Sequence, residues 1–316
     1  MLNEFDIIKQ YFTQTKNTHP EIILGIGDDA AVWQQGNATL VASVDTLIEG
    51  KHFLSVCRPE DIAYKALAVN LSDFAAMGAT PRWFTLALTL PIAHSDWLEK
   101  FSHSLFALAK QYDVVLIGGD TTQGALSITI QLMGTIDKDK MLLRNQAKPG
   151  DEIYVSGTLG DAGLALRVLQ KKITLPESVA LLVLPKLNRP EAQIPLGLAL
   201  GGVAHAAIDI SDGLAQDLGH ILQASNVGAD IYLDQLPLSE SLTQALSRVD
   251  AENLALTAGD DYQLCFTLAP NHPIISELAP THTLTRIGEI TQQGGLRIHQ
   301  KGQLIRPQTL GWQHFK

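Results

Sequence analysis

Apolar, strand-like runs in this 316-residue chain repeatedly end on aspartate. The runs are LGIGDDAAV with Asp28 and Asp29, VASVD with Asp45, VVLIGGD with Asp120, AAIDISD with Asp209 and Asp212, and LTAGDD with Asp260 and Asp261. The helical run NLSDFAAMGA adds Asp73. A bare carboxylate beside a hydrophobic run is costly to bury, so each of these ends needs water or a cation. Local cations are scarce. No Lys or Arg lies between Asn17 and Gly50, and none lies between Glu191 and Ser247, a segment with seven acids. Adjacent Asp28 and Asp29 repel each other with no base near them in sequence. A solvated loop explains one such pair; the repetition argues for a cation supplied from outside the chain. Hard divalent ions, which prefer oxygen ligands, match that donor set.

The length favours two domains over one core, and 46% apolar with 18% charged residues describes an ordinary globular protein. With 23 basic and 33 acidic residues the net charge is −10, which argues against a nucleic-acid groove or an anionic membrane surface as partner. The opening MLNEFDIIKQYF lacks the basic-then-apolar order of a signal peptide. Residues 192–208 form the most apolar charge-free run, but they contain Gln, His, Pro and three Gly, so no membrane span is expected. Cys57 and Cys265 are the only cysteines, without a CxxC or a disulfide framework. A cytoplasmic location is expected.

Residues 2–12 read as a short helix, with Phe5, Ile8 and Phe12 near helical spacing. After the GIGDD turn, Ala31–Trp33 and Thr39–Val44 form a hairpin pattern. Pro59 opens a strong helix that Gly78 ends, and Ala66, Asn70, Asp73 and Met77 share one stripe of it. Ser95 is placed to cap a helix to about Lys110, followed by strand 113–117, a GGDTT turn and strand 126–136. RNQAKPGD, Arg144 to Asp151, is polar with a Pro-Gly turn and marks the boundary between domains 1–147 and 148–316. The second half reads as strand 152–156, helix 161–170, a Pro-punctuated helical stretch to Leu200, and strand 206–210. A helix capped by Ser211 or Asp212 follows, then strand 229–234, helix 239–249, strand 262–268 and a strand-rich end from Leu284. The fold class is α/β (α+β), in two halves.

Gly25-Ile-Gly27-Asp-Asp-Ala30 matches a short form of the dinucleotide fingerprint. That motif needs a helix N-terminus facing the pyrophosphate, whereas here two aspartates and a hairpin follow, so the match is set aside. GxxxxGK[ST] and the HRD and DFG motifs of protein kinases are absent, which excludes those two routes to phosphoryl transfer. The remaining route to a polyphosphate runs through aspartate-held Mg²⁺, whose ligands can come singly from several turns. A metal-dependent hydrolase would lean more on histidine, and only His52 of the ten lies beside an acidic motif.

In order along the chain, GIGDDAAV, SVDTLIEGKHF, NLSDFAAMGA, IGGDTT, RNQAKPGD, AIDISDGL, AGDDYQL and the terminal GWQHF carry a family likeness. The chain resembles the thiamine-monophosphate kinase family, within the superfamily of aminoimidazole ribonucleotide synthetase and selenophosphate synthetase. The resemblance implies an aminoimidazole ribonucleotide synthetase-like fold, with an N-terminal sheet domain, a C-terminal α/β domain and a homodimer paired through the N-terminal sheets. It implies ATP-dependent phosphorylation of thiamine monophosphate to thiamine diphosphate, by direct in-line transfer with several Mg²⁺ ions. By position, Asp29, Ser43, Asp45, Asp73, Asp120, Asp209 and Asp212 would hold metal, with Asp120, Asp209 and Asp212 central to catalysis. Gly119, Asp120, Arg144 and Ser211 would touch ATP, Tyr112 would line the adenine, and His52, Asp260 and Trp312 would contact thiamine monophosphate. Such chemistry needs positioning and charge neutralisation rather than a covalent nucleophile, because the acceptor oxygen is already anionic. Lys51 and Lys148 are the only other bases expected near the motifs.

Three departures fall at the substrate end. The family usually has GEDYEL where this chain has GDDYQL, so Asp260 is one methylene shorter than the usual Glu and Gln263 removes a charge. The basic residue that ends the family's Arg-Pro-x-x-Arg run is replaced by Gln193. Activity is expected to survive all three.

Overall fold

The computed structural model describes residues 4–13, 19–307 and 309–312. Leu2, Asn3 and the Gln313–Phe315 part of the terminal motif lie outside the described residues. In the first half, helix α1 (Glu4–Ile7) runs into a π turn over Ile8–Phe12, ahead of strand β1 (Ile22–Leu24). The hairpin expected after GIGDD is β2 (Ala31–Gln35) with β3 (Ala38–Ile48), antiparallel with Gln35 opposite Ala38. Helix α2 (Pro59–Met77) has Pro in its first turn, and Gly78 closes it at φ 67°. Strand β4 (Thr80–Leu90), helix α3 (Ser95–Gln111), β5 (Val115–Gln123) and β6 (Ser127–Thr135) complete this half. Its six strands lie in the order β1-β2-β3-β6-β4-β5, and within it β4 and β5 are parallel.

The second half contains β7 (Glu152–Ser156), α4 (Asp161–Leu169), α5 (Glu177–Asn188), α6 (Ile194–Leu200), β8 (Ala206–Asp209), α7 (Leu214–Ser225) and β9 (Gly228–Tyr232). Then come α8 (Glu240–Ala245), α9 (Arg248–Thr257), β10 (Leu264–Leu268), α10 (Ile274–Leu278), β11 (Leu284–Thr291), β12 (Gly295–Gln300) and β13 (Gln303–Ile305). The seven strands are ordered β13-β12-β9-β11-β7-β10-β8, mostly antiparallel with β9 and β12 parallel. Two mixed sheets with flanking helices give the α/β (α+β) class.

Helix α2 joins the halves. It is apolar on nearly every face, and such a helix is stable only when surrounded. Leu67, Leu71, Phe74 and Met77 are fully buried, and one continuous hydrophobic cluster runs from them to Ile194, Leu196, Leu264 and Phe266 of the second half. The polar residues on α2 therefore face other elements rather than water.

Four local expectations are corrected. His94, not Ser95, is the N-cap residue of α3; the Ser95 hydroxyl turns to Asp96 at 3.4 Å. GGDTT is not a turn but the middle of β5, with Asp120 opposite Ala87. Its glycines read as a turn, yet here they permit close pairing: a Cβ on Gly119 (φ +149°) would sit 1.9 Å from the Leu86 carbonyl oxygen. Neither Ser211 nor Asp212 caps α7, whose N-cap position is Gly213. Instead Asp217, inside the helix, accepts the Asp212 and Gly213 N–H groups at 3.0 Å each. The helix expected over 239–249 is two helices, capped by the Ser239 and Ser247 hydroxyls, because a second cap signal at Ser247 restarts it. Among the described residues no helix is long and apolar enough to cross a membrane.

Candidate active site

The loop before β2, the α2 stripe and the end of β8 bring Asp29, Asp73 and Asp209 together. One carboxylate oxygen from each lies within 4.8 Å of the others. Asp45, on β3, lies close enough to Asp73 and Asp29 for their charges to act on one another. The Ser72 hydroxyl, next to Asp73 on α2, donates to Asp209 Oδ2 at 2.6 Å. Desolvation, then the neighbouring carboxylates, hold Asp73 well above the usual carboxylate range. The same burial raises Asp209 to about 8, with Asp29 adding to the rise, and raises Asp45 to about 6. Ser43 Oγ is buried among the described residues with no hydrogen-bond partner. Oxygen-only donors, crowded carboxylates and an orphaned hydroxyl fit a hard divalent cation such as Mg²⁺.

The base missing from the Asn17–Gly50 stretch arrives from Arg144. Its guanidinium bonds Asp29, its Nε lies 3.6 Å from Asp28 Oδ1, and its backbone N–H donates to Asp28 Oδ2 at 3.1 Å. Asp29 and Asp28 side chains are only 2% and 4% exposed, so this pairing holds two nearly buried charges. Desolvation, with Asp29 next, still leaves Asp28 raised to about 6. Arg144 therefore stands among the acids, beside the cluster.

Two of the three expected substrate residues, Asp260 and Trp312, meet the turn after β8. Asp260 N–H donates to the Ser211 carbonyl at 2.8 Å, and Trp312 N–H to the Asp212 carbonyl at 2.9 Å. Gly259 allows the approach, since a Cβ there would lie 2.3 Å from Ser211 O. Asp260 and Tyr262 both have positive φ, 68° and 48°, a strained arrangement for two non-glycine residues in one loop. Tyr262 Oη donates to Asp260 Oδ1 at 3.3 Å. His52 accepts the Ile48 N–H on Nδ1 at 2.9 Å. Asp212 accepts from Gln216 at 2.8 Å.

Gly119 and Asp120 are exposed on the edge strand β5, and Asp120 is not among the three acids whose oxygens converge within 4.8 Å. Tyr112, at the end of α3, donates its hydroxyl to the Ala192 carbonyl at 3.2 Å. Sequence reasoning missed Ser72, Asp217 and Lys65. Lys65 is a further base at the motifs beyond Lys51 and Lys148, bonded to Asp260 at 2.7 Å with a side chain only 4% exposed. Its signal was present: Lys65 is the one basic residue within the apolar α2 run. His220 was missed too; burial, then Arg144, lowers it to about 4, and Phe5 of α1 packs 4.4 Å from its ring.

Family models and relatives match the chain over most of its length. Residues 27–136 match the AIR synthase related protein N-terminal domain, and residues 148–301 match the corresponding C-terminal domain. The chain is 45% identical to thiamine-monophosphate kinase of Escherichia coli (strain K12), covering 99% of this chain and 98% of that one. It is 48% identical to the Haemophilus influenzae enzyme over 85% of this chain and 82% of the relative. The crystal structure of thiamine-monophosphate kinase from Stenotrophomonas maltophilia K279a superposes with a TM-score of 0.81 at 47% identity, covering 91% and 93% of the two chains. AaThiL complexed with AMPPCP and TMP superposes with a TM-score of 0.85 at 30% identity, covering 99% and 97%. With its acid cluster, its two matched domains and relatives aligned nearly end to end, the chain belongs to the thiamine-monophosphate kinase family and is a thiamine-phosphate kinase.

Proposed function

We propose that the chain transfers the γ-phosphoryl group of ATP in line to the phosphate of thiamine monophosphate, giving ADP and thiamine diphosphate, with several Mg²⁺ ions. The bond formed joins the acceptor phosphate oxygen to the γ-phosphorus, and the bond broken is the β,γ bridge. The acceptor oxygen is already anionic, so no side chain need become a covalent nucleophile. The observation that carries this reading is the convergence of Asp29, Asp73 and Asp209 oxygens within 4.8 Å, beside Asp45 and the orphaned Ser43 hydroxyl.

Asp29, Ser43, Asp45, Asp73, Asp209 and Asp212 are proposed to hold the metal. Bound there, Mg²⁺ supplies charge neutralisation for the phosphates. Arg144 and Ser211 are proposed to orient ATP, the guanidinium being suited to a terminal phosphate. His52, Asp260 and Trp312 are proposed to bind thiamine monophosphate, with the half-exposed Trp312 indole as a platform for the cationic thiazolium. Asp120 and Gly119 keep metal and ATP roles by resemblance alone.

The domains are proposed to divide at 147/148, and the enzyme to act as a cytoplasmic homodimer. Val44 and Ile48 on β3 and Val115 and Ile117 on β5 are exposed apolar side chains of the first sheet, which supports pairing through that sheet. The deciding experiment follows ADP and thiamine diphosphate together, from ATP and Mg²⁺ with thiamine monophosphate, free thiamine or no acceptor. Both products with the monophosphate alone is the expected result. ADP without thiamine diphosphate, or binding of Mg·ATP without turnover of this acceptor, would remove thiamine monophosphate as the substrate.

A further inference from the structure

Three polar side chains on one face of α2 reach across to the second half. Asp61 meets Arg189 Nε at 2.5 Å, Lys65 Nζ meets Asp260 Oδ1 at 2.7 Å, and Ser72 Oγ meets Asp209 Oδ2 at 2.6 Å. The spacing i, i+4, i+11 keeps all three on one side of a helix. The Ser72 contact supports the acid cluster. The Lys65 contact leads elsewhere. Its ammonium also donates to the His52 carbonyl oxygen at 3.2 Å, so one buried cation holds the main chain of His52 and the side chain of Asp260 at once.

The Asp260 carboxylate is held asymmetrically. Lys65 and Tyr262 both contact Oδ1, at 2.7 and 3.3 Å. The side chain remains 31% exposed, and neither of these contacts uses Oδ2. A buried ammonium is expensive unless a charged partner meets it. Here it also cancels the negative charge of Asp260. That matters for a ligand carrying both N–H donors and an anionic phosphate: an uncompensated carboxylate would attract the first and repel the second. The strained φ values of Asp260 and Tyr262 mark a loop held in place by its surroundings, and Lys65 is the part of those surroundings that comes from the other half of the chain.

We infer that Lys65 is a positioning residue for the phosphate acceptor: by binding Asp260 Oδ1 and the His52 carbonyl it presents a single, charge-compensated acceptor oxygen to a heteroaromatic amine bearing a phosphate monoester. The inference rests on the reading of the chain as a thiamine-monophosphate kinase.

The test compares the full-length wild type with Lys65→Met, Lys65→Arg and the double variant Lys65→Met/Asp260→Asn. Thiamine monophosphate and Mg·ATP binding are titrated separately by calorimetry, and KM and kcat are measured for each substrate. The expected result for Lys65→Met is a rise of about tenfold or more in Kd and KM for thiamine monophosphate, with Mg·ATP binding within about twofold of wild type. Lys65→Arg regains part of the loss. The double variant recovers the unfolding midpoint lost by the single one, because no uncompensated carboxylate remains. A lowered midpoint with unchanged acceptor KM, or equal losses for acceptor and Mg·ATP, overturns the inference and leaves Lys65 a structural strut. If Lys65→Met does not fold, the same comparison is read from Lys65→Arg. Wild-type protein that binds Mg·ATP but not thiamine monophosphate overturns the functional reading itself, an outcome separate from a silent Lys65.

Discussion

The hydroxyl of Ser72 lies 2.6 Å from Asp209 Oδ2, joining a helix of the first half to the strand end of the second at the centre of the acid cluster. Both groups are buried, so the hydrogen bond is a condition for keeping Asp209 there. Ser72→Ala leaves that acceptor without its donor, and the expected cost is about 1–3 kcal/mol of stability. Thermal unfolding of the metal-free protein checks the cost. An unchanged midpoint would mean that water replaces the hydroxyl.

Asp209→Asn separates stability from activity. The amide oxygen can still accept from Ser72, and the variant side chain stays neutral where Asp209 would ionise as pH rises through about 8. The metal-free protein should unfold at the same or a higher temperature, while kcat/KM at saturating Mg²⁺ falls by about 10²–10³-fold, the scale seen when one preorganised electrostatic contact is removed. Retained activity would dismiss Asp209 as a metal ligand.

The raised carboxylates set a pH dependence. Asp45 sits at about 6 and Asp209 at about 8, against an ordinary value of 3.8, so the folded chain keeps protons that the unfolded chain has already released. Their contribution to stability is complete below the unfolded value and is lost as pH rises through about 6 to 8. The metal-free midpoint should therefore fall across that window. Mg²⁺ binding needs the deprotonated forms, so its affinity should rise across the same window, with proton release on binding. Titrations in two buffers of different ionisation enthalpy measure the released protons directly.

Arg144 is the internal counter-ion of Asp28 and Asp29. Removing one partner from a buried pair strands the other, so Arg144→Met should destabilise the metal-free protein by about 3 kcal/mol. Added Mg²⁺ should raise the unfolding midpoint more in the variant than in the wild type, since an external cation then takes over part of the guanidinium's task. An equal shift in both proteins would show that ion and guanidinium act on different acids.

Much of this was legible in sequence because it depends on local signals. Pro59 and Gly78 delimit α2, and the Gln34–Thr39 region reads as a hairpin before its register is known. Asp29, Asp73 and Asp209 could be nominated because acids after apolar runs are conspicuous. What was not legible is contact between distant segments. Arg144 stands far along the chain from Asp28 and Asp29, and nothing local tells that their charges meet. Lys65 was passed over because a lysine in a helix ordinarily lies on its solvated face, and only the packing of α2 between the halves makes it buried. GGDTT was misread because glycines that admit a neighbouring strand look the same as glycines that turn the chain. The cap of α7 was misplaced because Asp217 works backwards from inside the helix.

Helix α2 carries Asp61, Lys65, Ser72 and Asp73 on a single rod. Each residue added to an α-helix turns everything beyond it by about 100°. A single insertion or deletion between Lys65 and Ser72 would thus swing Lys65 and the Ser72–Asp73 pair onto different sides, although every side chain would still be present. The spacing along α2 is accordingly as much a part of the site as its side chains.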